Sequence, residues 1–585
     1  MNRREDHFRY LVYLLRNPRY YRFLLGFAGR KVMVYLSILT RGRIRPLGRK
    51  VADTPARERL QATGGALVLG KPAPAALDRW KHSSPKESGS QNVATVHVFS
   101  EQRTLNGGIF DSDSRDPEQA FFVHRFSWLY EVLFRSPDVE TVAACWELVR
   151  HWIRRYPLNA APHRFDSYSI SERVVVWLYL YRYTAAYAPP GPDVTSTLVS
   201  SIQEQLKHLA AQLEFRGPET NNHVLNNARC LYVSGVALGL GNLTQLGRDL
   251  FLTEYHTVFE GAEYLEGSSH YRLLTTKNIL DVREAALIEG DGQFLRSLNE
   301  YVEGPLARCR ELFESGFPLL GDVSPDAPPE WLDGMPFSNH SSKNSPFFGL
   351  HGYNLPETEP LVRGEKTTLL HLSGNPFAVW ATVRNGGVPC HGHNDNGSVV
   401  VHLRRDPLII DLGRTSYLDS SLGRGQTGAP AHNMPLVDGH PVDIPRSSAL
   451  SASGLSSLTD VLHKSDARAV YEITYAYSRI VVRRSVEIEG GTCTITDELQ
   501  GRATAPREYL AWYHFSNRPL LSGKQCAWDG NLRMDVSGDR PIVLECDDSF
   551  QASTAYGHSS PAFSVLIRSR LAPGDRVTIR LEDGQ

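Results

Sequence analysis

The chain has 585 residues, of which 41% are hydrophobic and 22% are charged, and its formal net charge at pH 7 is −1. This length and composition are typical of a soluble globular protein of about two to four domains, which can bury large cores without disulfide bonds. The seven cysteines are scattered and none lies in a C-x-x-C motif. This argues against a disulfide framework and a thiolate metal site, and favours a reducing compartment.

The first 50 residues are strongly basic, with 13 Lys and Arg against 2 Asp and Glu, a net +11 that leaves −12 for the rest of the chain. Arginines interrupt every apolar run, so none has the length of a secretory signal core or a membrane span. The segment is interpreted either as a basic amphipathic stretch on an anionic membrane surface or as helices docked on the main body. The acidic remainder argues against nucleic-acid binding. We expect a cytoplasmic protein or one peripheral to the inner membrane, with the periplasm as the alternative.

The chain after this segment changes its hydrophobic period twice. Residues 1–110 are interpreted as the basic segment and a linker. Between 111 and 320, apolar residues recur at three- and four-residue steps between short breaks, which predicts an array or toroid of amphipathic helices. Residues 321–365 are rich in Pro, Gly, Ser and Asn and are interpreted as a connector. From 366 to 585 the period is two, which predicts antiparallel strands in a β-sandwich.

An asparagine-rich stretch, ETNNHVLNNA, opens one of the predicted helices. Thr220 or Asn221 can cap this helix, which places Asn222 and His223 in its first turn. Capping accounts for one or two of the polar residues. The others are costly, because asparagine has a modest helix propensity and needs partners for both ends of its amide. Asn222 and His223 are therefore predicted to belong to a functional site.

The stretch EGSSHYR, residues 266–272, leads from a polar loop into an apolar-periodic helix. Ser268 or Ser269 can cap this helix, and Tyr271 follows at the junction. Taken alone, the stretch is typical of an ordinary helix start with a half-buried tyrosine.

The stretch CHGHND, residues 390–395, precedes an apolar run that turns at Arg405-Asp406-Pro407 and returns as LIID. A hairpin of this kind brings His393 and Asp411 to the same open end, and His432 follows soon after. His, Asp and His are suitable zinc ligands and leave a position for a further ligand. The alternative is that these histidines lie in solvated loops.

Four stretches, NNHVLNNA, EGSSHYR, HGHNDNGSVVVHLRRDPLIIDLG and AHNMPLVDG, follow one another in this order. Together they resemble the heparinase II/III-like family of polysaccharide lyases. The resemblance implies an α+β multidomain fold, in which an incomplete α/α toroid is followed by an antiparallel β-sandwich.

The resemblance also implies roles for individual residues. It implies four catalytic residues, the Asn-His pair Asn222 and His223, the tyrosine Tyr271 and the histidine His391. It implies three ligands of a mainly structural zinc ion, His393, Asp411 and His432. Tyr417 is the candidate for the family's second tyrosine, since Arg414 and Thr415 stand where an aromatic residue is common.

The implied reaction is cleavage of an acidic, uronic-acid-containing polysaccharide by β-elimination. Asn222 would donate to the charge that builds on the substrate carboxylate. Tyr271 is the best acid and could also be the base, with His223 or His391 as the alternative base. Arginine forks match carboxylates and sulfates, so Arg173, Arg272 and Arg384 are candidate substrate-binding residues, together with Tyr417. The alternative for each arginine is a surface or interstrand position.

Two other functions are considered. In a glycoside hydrolase, paired carboxylates carry the reaction, and Glu263, Glu266 and Asp395 could supply them. The other is a non-catalytic glycan-binding protein in surface-polysaccharide assembly, which the basic segment and the missing signal peptide favour.

Overall fold

The fold is described from a computed structural model of the chain. The described residues are 95–99, 101–111, 116–135, 138–158, 162–185, 188–214, 221–326, 369–384, 390–418, 425–439, 458–475, 480–501, 505–528 and 531–584. The basic segment and its two interpretations lie outside these residues, as does most of the predicted connector. Among the helices of the described ranges, none is both long enough and apolar enough to cross a membrane.

The first half of the described chain is helical, as predicted. A short hairpin, β1 (Thr95–Val98) and β2 (Glu101–Thr104), and a 3₁₀ turn, Gly107–Phe110, precede the helices. The helices are α1 (Pro117–Arg125), α2 (Trp128–Arg135), α3 (Val139–Arg155), α4 (Pro162–Phe165), α5 (Ser167–Thr184), α6 (Pro192–Ala211), α7 (Asn222–Leu238), α8 (Gly241–Val258), α9 (Ser269–Glu289) and α10 (Gly292–Glu314). A two-residue pair, β3 (Phe259–Glu260) and β4 (Glu263–Tyr264), lies between α8 and α9.

Side-chain caps fix where the two helices that carry site residues begin. The side chain of Asn221 accepts from the backbone N–H of His223 at the start of α7. Ser268 accepts from the N–H of Tyr271 at the start of α9. Such a cap satisfies a backbone donor that the helix itself leaves unpaired. Both caps are among the alternatives that the sequence predicts.

Helix α7 lies at the centre of the helical part and packs against α5, α8 and α9. Every residue of α7 except His223 is buried. A Cβ on Gly247 of α8 would lie 2.4 Å from the backbone nitrogen of Tyr232, so only glycine allows the two helices to approach this closely. The polar first turn of α7 is thereby held on a rigid, buried element.

The second half of the described chain consists of antiparallel strands. They are β5 (Leu369–Ser373), β6 (Phe377–Thr382), β7 (Val399–Leu403), β8 (Asp406–Ile409), β9 (Pro435–Val437), β10 (Leu458–Lys464), β11 (Arg468–Thr474), β12 (Val481–Glu489), β13 (Thr492–Gln500), β14 (Arg507–Phe515), β15 (Leu520–Ser522), β16 (Gln525–Ala527), β17 (Leu532–Gly538), β18 (Val543–Asp547), β19 (Gln551–Ala552), β20 (Ser560–Pro561), β21 (Phe563–Leu571) and β22 (Arg576–Asp583). A 3₁₀ turn at Ala429–Ala431 precedes β9.

Two large sheets form a sandwich. One has the order β18-β21-β14-β8-β7-β6-β5, with β9 paired to β14, and the other has the order β10-β11-β12-β13-β22-β17-β16-β15. Alternate residues of both sheets, such as Val379 and Val401 from one and Val486 and Ile579 from the other, share one apolar core. This agrees with the period of two in the sequence, since alternate side chains of a strand point to opposite faces. The predicted order of helices followed by antiparallel sheets is confirmed.

Candidate active site

Three backbone segments from distant parts of the chain meet where the helices face the sandwich. The N–H of His391 donates to the carbonyl of Glu266 at 2.8 Å, and the N–H of Asp322 donates to the carbonyl of His391 at 2.8 Å. Gly321 has φ +70°, and a Cβ there would lie 2.5 Å from the carbonyl oxygens of Gly267 and His391. Glycine is therefore required for this junction to close. The junction holds Tyr271, Asp322 and His391 in fixed relation.

Four side chains at this junction touch one another in sequence, and we call Tyr271, Tyr417, His391 and Asp322 the cleft cluster. The rings of Tyr271 and His391 stack with centroids 3.6 Å apart and an interplanar angle of 7°. The hydroxyl groups of Tyr271 and Tyr417 are 2.8 Å apart. Burial raises the pKa of both tyrosines well above the ordinary value. Both are therefore neutral at pH 7, and one hydroxyl donates to the other.

Asp322 is the acidic centre of the cleft cluster. Its Oδ2 lies 3.2 Å from Nδ1 of His391, and its Oδ1 lies 3.1 Å from Nε2 of His393. Burial raises the pKa of Asp322, but hydrogen bonds from the two histidines outweigh burial and hold the pKa well below its usual range. The ionised carboxylate accepts from both rings and fixes which nitrogen of each carries a proton. Arg414 also approaches Oδ1, at 3.4 Å.

His391 therefore presents its second nitrogen, Nε2, away from Asp322. This atom lies 3.7 Å from Oε2 of Glu266. It is buried and has no hydrogen-bond partner among the described residues. In this arrangement one face of the ring supports Tyr271, and Nε2 points to Glu266.

Asn222 joins the same region through Glu266. Its backbone N–H donates to Oε1 of Glu266 at 2.7 Å. Its side-chain Oδ1 is buried and makes no hydrogen bond within the described part of the chain. Asn222, His391 and Tyr271 are thus linked by Glu266 and by ring stacking, as a common site requires.

His223 lies on the exposed side of the first turn of α7. Its Nδ1 is 3.2 Å from Oε1 of Glu214, and its ring packs against Tyr168 with centroids 4.5 Å apart. The side chain keeps 24% of its accessible surface. Its contacts are with Glu214 and Tyr168, whereas those of Asn222 lead to the cleft cluster.

The three predicted metal ligands come together, and we call His393, Asp411 and His432 the metal-ligand cluster. Each offers one ligand atom within 4.8 Å of the other two. His432 Nδ1 lies 2.7 Å from Asp411 Oδ2. Nδ1 of His393 and Nε2 of His432 are buried and without a partner among the described residues. Two orphaned imidazole nitrogens beside a carboxylate fit a divalent cation, because such a cation would satisfy them.

Substrate binding by Arg173 is not supported, because its guanidinium group is enclosed in the helical core. Arg173 is 0% exposed. It donates to Gln205 at 2.9 and 2.6 Å and to the carbonyl of His124 at 2.7 Å, and it lies over the ring of Trp152. A cavity of about 360 Å³ nearby is lined by Trp152 and Gln205 and by no member of the cleft cluster. The prediction for Arg173 is corrected to a packing role.

Arg272 and Arg384 are also buried, at 3% and 5% exposure, and both hold protein groups. Arg272 donates to Glu263 at 3.0 Å. Arg384 donates to Asp395 at 2.6 Å and to the carbonyl of His393 at 2.9 Å. The structure therefore gives Arg384 a supporting role for the His393 loop and commits the guanidinium groups of both arginines to protein oxygens. The structure gives no support to substrate binding by either arginine, which stays a prediction.

Tyr417 is the one predicted substrate-binding residue that the structure brings to the cleft cluster. Its N–H donates to the hydroxyl oxygen of Tyr556 at 2.8 Å, and the guanidinium group of Arg414 lies over its ring. Asp116 at the start of α1 accepts from Tyr556 at 3.0 Å and from Ser416 at 2.7 Å. The tyrosine is thus anchored from both halves of the molecule.

Sequence reasoning missed Asp322 and Arg414 as site residues and assigned Glu266 only to the hydrolase alternative. Asp322 follows Gly321 in a Pro- and Gly-rich stretch whose composition predicts a connector. The one usable signal is the Gly-Asp pair in the segment that follows a long helix. It does not show which distant histidines the carboxylate meets.

The chain is similar to a known protein family and to several solved structures. Residues 377–574 match the family model "Heparinase II/III-like, C-terminal". No curated protein matches the chain. Among solved structures, a mutant of the heparan sulfate lyase HepC from Pedobacter heparinus has 14% sequence identity and a TM-score of 0.57, over 91% of this chain and 88% of that chain. A structure of heparinase III has 12% identity and a TM-score of 0.63, over 92% of this chain and 93% of that chain.

The solved structures share the fold at low sequence identity, and the family model covers most of the sandwich, including the loops that carry His391, His393, Asp411 and His432. The family model and the solved structures point to the same family that the short sequence motifs resemble. The family match therefore identifies residues 377–574 as a heparinase II/III-like C-terminal domain.

Proposed function

We propose that this protein is a polysaccharide lyase that cleaves a uronic-acid-containing polysaccharide by β-elimination. The observation that carries the proposal is the cleft cluster, in which two neutral tyrosine hydroxyl groups lie 2.8 Å apart beside a histidine that a carboxylate holds. The family and the heparan sulfate lyase with the same fold support it. As part of the same proposal, the helices correspond to an incomplete α/α toroid.

Tyr271 is the proposed general acid. Burial raises the pKa of Tyr271, so the phenol carries its proton at neutral pH and can give it to the leaving O4 of the sugar. Tyr417 can return a proton to Tyr271 through the hydroxyl contact. The stacked ring of His391 fixes the direction of the Tyr271 side chain, which general acid catalysis requires.

His223 is the proposed base for the C5 proton, in preference to His391. The Nε2 atom of His391 is buried toward Glu266, whereas His223 retains exposed surface. Glu214 at Nδ1 of His223 favours the tautomer that leaves Nε2 as the acceptor. A base on α7 and an acid on α9 would work from different sides of the sugar.

Asn222 is proposed to stabilise the charge that forms on the substrate carboxylate when C5 loses its proton. Its backbone N–H is held by Glu266, which fixes the first turn of α7 and would leave the side-chain N–H groups to donate to the substrate carboxylate. An amide donor directed at the developing charge is worth most where water is excluded.

The metal-ligand cluster is proposed to hold a zinc ion. Histidine and aspartate are ordinary zinc ligands, and such an ion would supply a structural clamp for the loop that bears His391 and His393. His393→Ala should lower both the zinc content and the melting temperature of the purified protein. If a chelator leaves the melting temperature of the native chain unchanged, the metal assignment is wrong.

The experiment that tests the lyase proposal is a panel of acidic glycans, with glucuronate, iduronate, mannuronate, guluronate and galacturonate backbones. A lyase produces an unsaturated sugar that absorbs in the ultraviolet, and a hydrolase does not. Tyr271→Phe should reduce product formation about a hundredfold or more. Tyr255→Phe is the matched control, since its hydroxyl donates to the carbonyl of Tyr301 in the helical part.

Both alternatives are separated by the same panel. The hydrolase is disfavoured because Glu263 and Asp395 pair with arginines and Glu266 accepts from Asn222 and Tyr264. A glycan-binding protein without activity would show no product with either the native chain or Tyr271→Phe, while still retaining the glycan. Association of residues 1–50 with an anionic membrane remains a separate proposal, testable by co-sedimentation of the full chain with anionic vesicles.

A further inference from the structure

A second group of metal-ligating side chains lies on the other side of His391. It consists of Glu266, Cys390 and His391, and we call it the thiol cluster. Each residue offers one ligand atom within 4.8 Å of the others. The carboxylate and imidazole atoms, Glu266 Oε2 and His391 Nε2, are 3.7 Å apart. Cys390 carries a thiol and is partly exposed, which gives an ion a route from solvent.

Every member of the thiol cluster is oriented by a second hydrogen bond. Glu266 accepts from the N–H of Asn222 and from the hydroxyl of Tyr264, both at 2.7 Å. The amide of Asn221 donates to the Cys390 sulfur at 3.4 Å. Asp322 holds Nδ1 of His391. Such outer contacts are typical of metal ligands, because they fix the ligand orientation and the imidazole tautomer.

The independent observation is the Nε2 atom of His391. The residue is 8% exposed, and this atom has no hydrogen-bond partner in the described ranges. When Asp322 accepts from Nδ1, Nε2 of the neutral ring carries the lone pair, and this atom lies 3.7 Å from Oε2 of Glu266. A buried acceptor without a donor is costly unless something outside the protein satisfies it.

We propose that the thiol cluster binds a divalent d¹⁰ cation of the zinc group, separately from the metal-ligand cluster. Thiolate, imidazole and carboxylate are the ligand set that such ions favour, and a water molecule can fill the fourth position. Bond lengths of about 2.0–2.3 Å place tetrahedral ligand atoms about 3.3–3.8 Å apart. The Glu266–His391 distance of 3.7 Å already fits, and the thiol, which lies within 4.8 Å of the other ligand atoms, needs to close in by at most about 1.5 Å. On binding, the Cys390 thiol releases its proton to solvent.

Occupation of this site would switch the enzyme off, a consequence that rests on the proposed lyase function. The ion would bond Nε2 of His391, whose ring supports Tyr271. The ion would also bind the carboxylate of Glu266, which accepts a hydrogen bond from the N–H of Asn222. Binding therefore competes with the arrangement that the acid and the charge-stabilising amide need, and inhibition should be reversed by a chelator.

Cadmium is the probe, because a cadmium–thiolate bond absorbs in the ultraviolet and the metal-ligand cluster contains no sulfur. The full chain is stripped with a chelator, freed of it and titrated with Cd²⁺, with absorption and bound equivalents measured. The native chain should show the thiolate band. Cys390→Ser should lose the band and one bound equivalent. Cys546→Ser, which removes the exposed cysteine on the sandwich, is the matched control and should retain both.

The outcomes separate this site from the proposed function. A band of equal size in the native chain and in Cys390→Ser, or no band in either, overturns the site. If the glycan panel yields activity, Cd²⁺ should inhibit the native chain at least tenfold more strongly than Cys390→Ser, and equal inhibition overturns the regulatory consequence. If the panel yields no activity while the band depends on Cys390, the lyase proposal fails and the metal site stands.

Discussion

Two buried charged centres, one in the sandwich and one at the junction of the domains, differ in how completely their polar atoms are partnered. In the sandwich, Arg484 donates to both carboxylate oxygens of Asp497, at 2.6 and 2.7 Å, and to the carbonyls of Gly397 and Asn433. Asp497 also accepts from Tyr509 at 2.6 Å. All three guanidinium nitrogens of Arg484 donate hydrogen bonds, and this pairing offsets the cost of burying the charge.

The junction around Asp322 is built from the same kinds of groups but is incomplete. Oδ1 of Asn222 and Nε2 of His391 are buried without a partner among the described residues, as are Nδ1 of His393 and Nε2 of His432. Native proteins pair most buried polar atoms, and the three imidazole nitrogens among these four belong to rings whose other nitrogen faces a carboxylate. We infer that the Arg484 centre serves stability, whereas the Asp322 centre serves ligands.

The largest expected effect concerns the sandwich. Arg484→Met should lower the free energy of unfolding by about 3–5 kcal/mol, because Asp497 is left as an uncompensated buried charge. Urea unfolding measures the change. The matched control is Arg483→Met on the same strand, whose pair with Glu472 is partly exposed and should contribute at most about 1 kcal/mol. Equal losses in the two variants would contradict a structural role for the Arg484 centre.

A smaller stability effect and a clear functional effect are expected at the junction. Asp322→Asn should reduce both the activity and the metal affinity of the metal-ligand cluster by about 10–100-fold. A loss of this size is usual when a group that orients a metal ligand is removed. Glycan turnover and metal content measure this, with the surface variant Asp575→Asn as control. If unfolding stability falls by several kcal/mol while the activity per folded molecule is retained, the two centres do not differ as inferred.

A more gradual effect, of at most about 1.4 kcal/mol per pH unit, is a pH dependence within the sandwich. Burial lowers the pKa of His514 to about 3. Its two ring nitrogens form hydrogen bonds with the hydroxyl of Ser564 and the carbonyl of Pro430. The unfolded state, with a pKa of about 6.5, binds the proton first. Stability is therefore lost as the pH falls from about 6.5 toward 3, by at most about 1.4 kcal/mol per pH unit.

His514→Gln tests this prediction, because glutamine can still donate to the carbonyl of Pro430 and does not titrate. Unfolding free energies between pH 7 and 4.5 should fall less steeply in the variant than in the native chain. His558→Gln, at an exposed position, should leave the slope unchanged. An unaltered slope in His514→Gln would show that other groups carry the acid sensitivity.

Much of the local structure could be read from the sequence. The caps at Asn221 and Ser268 and the hairpin that joins His393 to Asp411 depend on neighbouring residues, and the structure agrees with the caps and the hairpin. The turn lies at Arg404-Arg405, slightly before the predicted Arg405-Asp406-Pro407, because the second strand already begins at Asp406. Tyr417 was also singled out, and its hydroxyl contact with Tyr271 spans 146 positions. That contact depends on how the sandwich sits against the helices, which local pattern does not encode.

The arginines show the opposite case. Arg173, Arg272 and Arg384 have the chemistry to bind an acidic sugar, and all three are used inside the protein. The sequence does not distinguish an arginine that binds a substrate from one that donates to a buried glutamine, as Arg173 does. Which one it meets is decided by burial.

The sequence by itself determined the order of helices and strands, the polar helix starts and the spacing of the His, Asp and His residues, because periodicity and capping act over a few residues. Only the tertiary structure decided that Asp322 bridges His391 and His393 and that Cys390, an isolated cysteine in the sequence, lies beside Glu266 and His391. These contacts form when Gly321 closes the junction between segments far apart in the chain, and packing of the two domains selects which polar atoms are paired and which are left for a ligand.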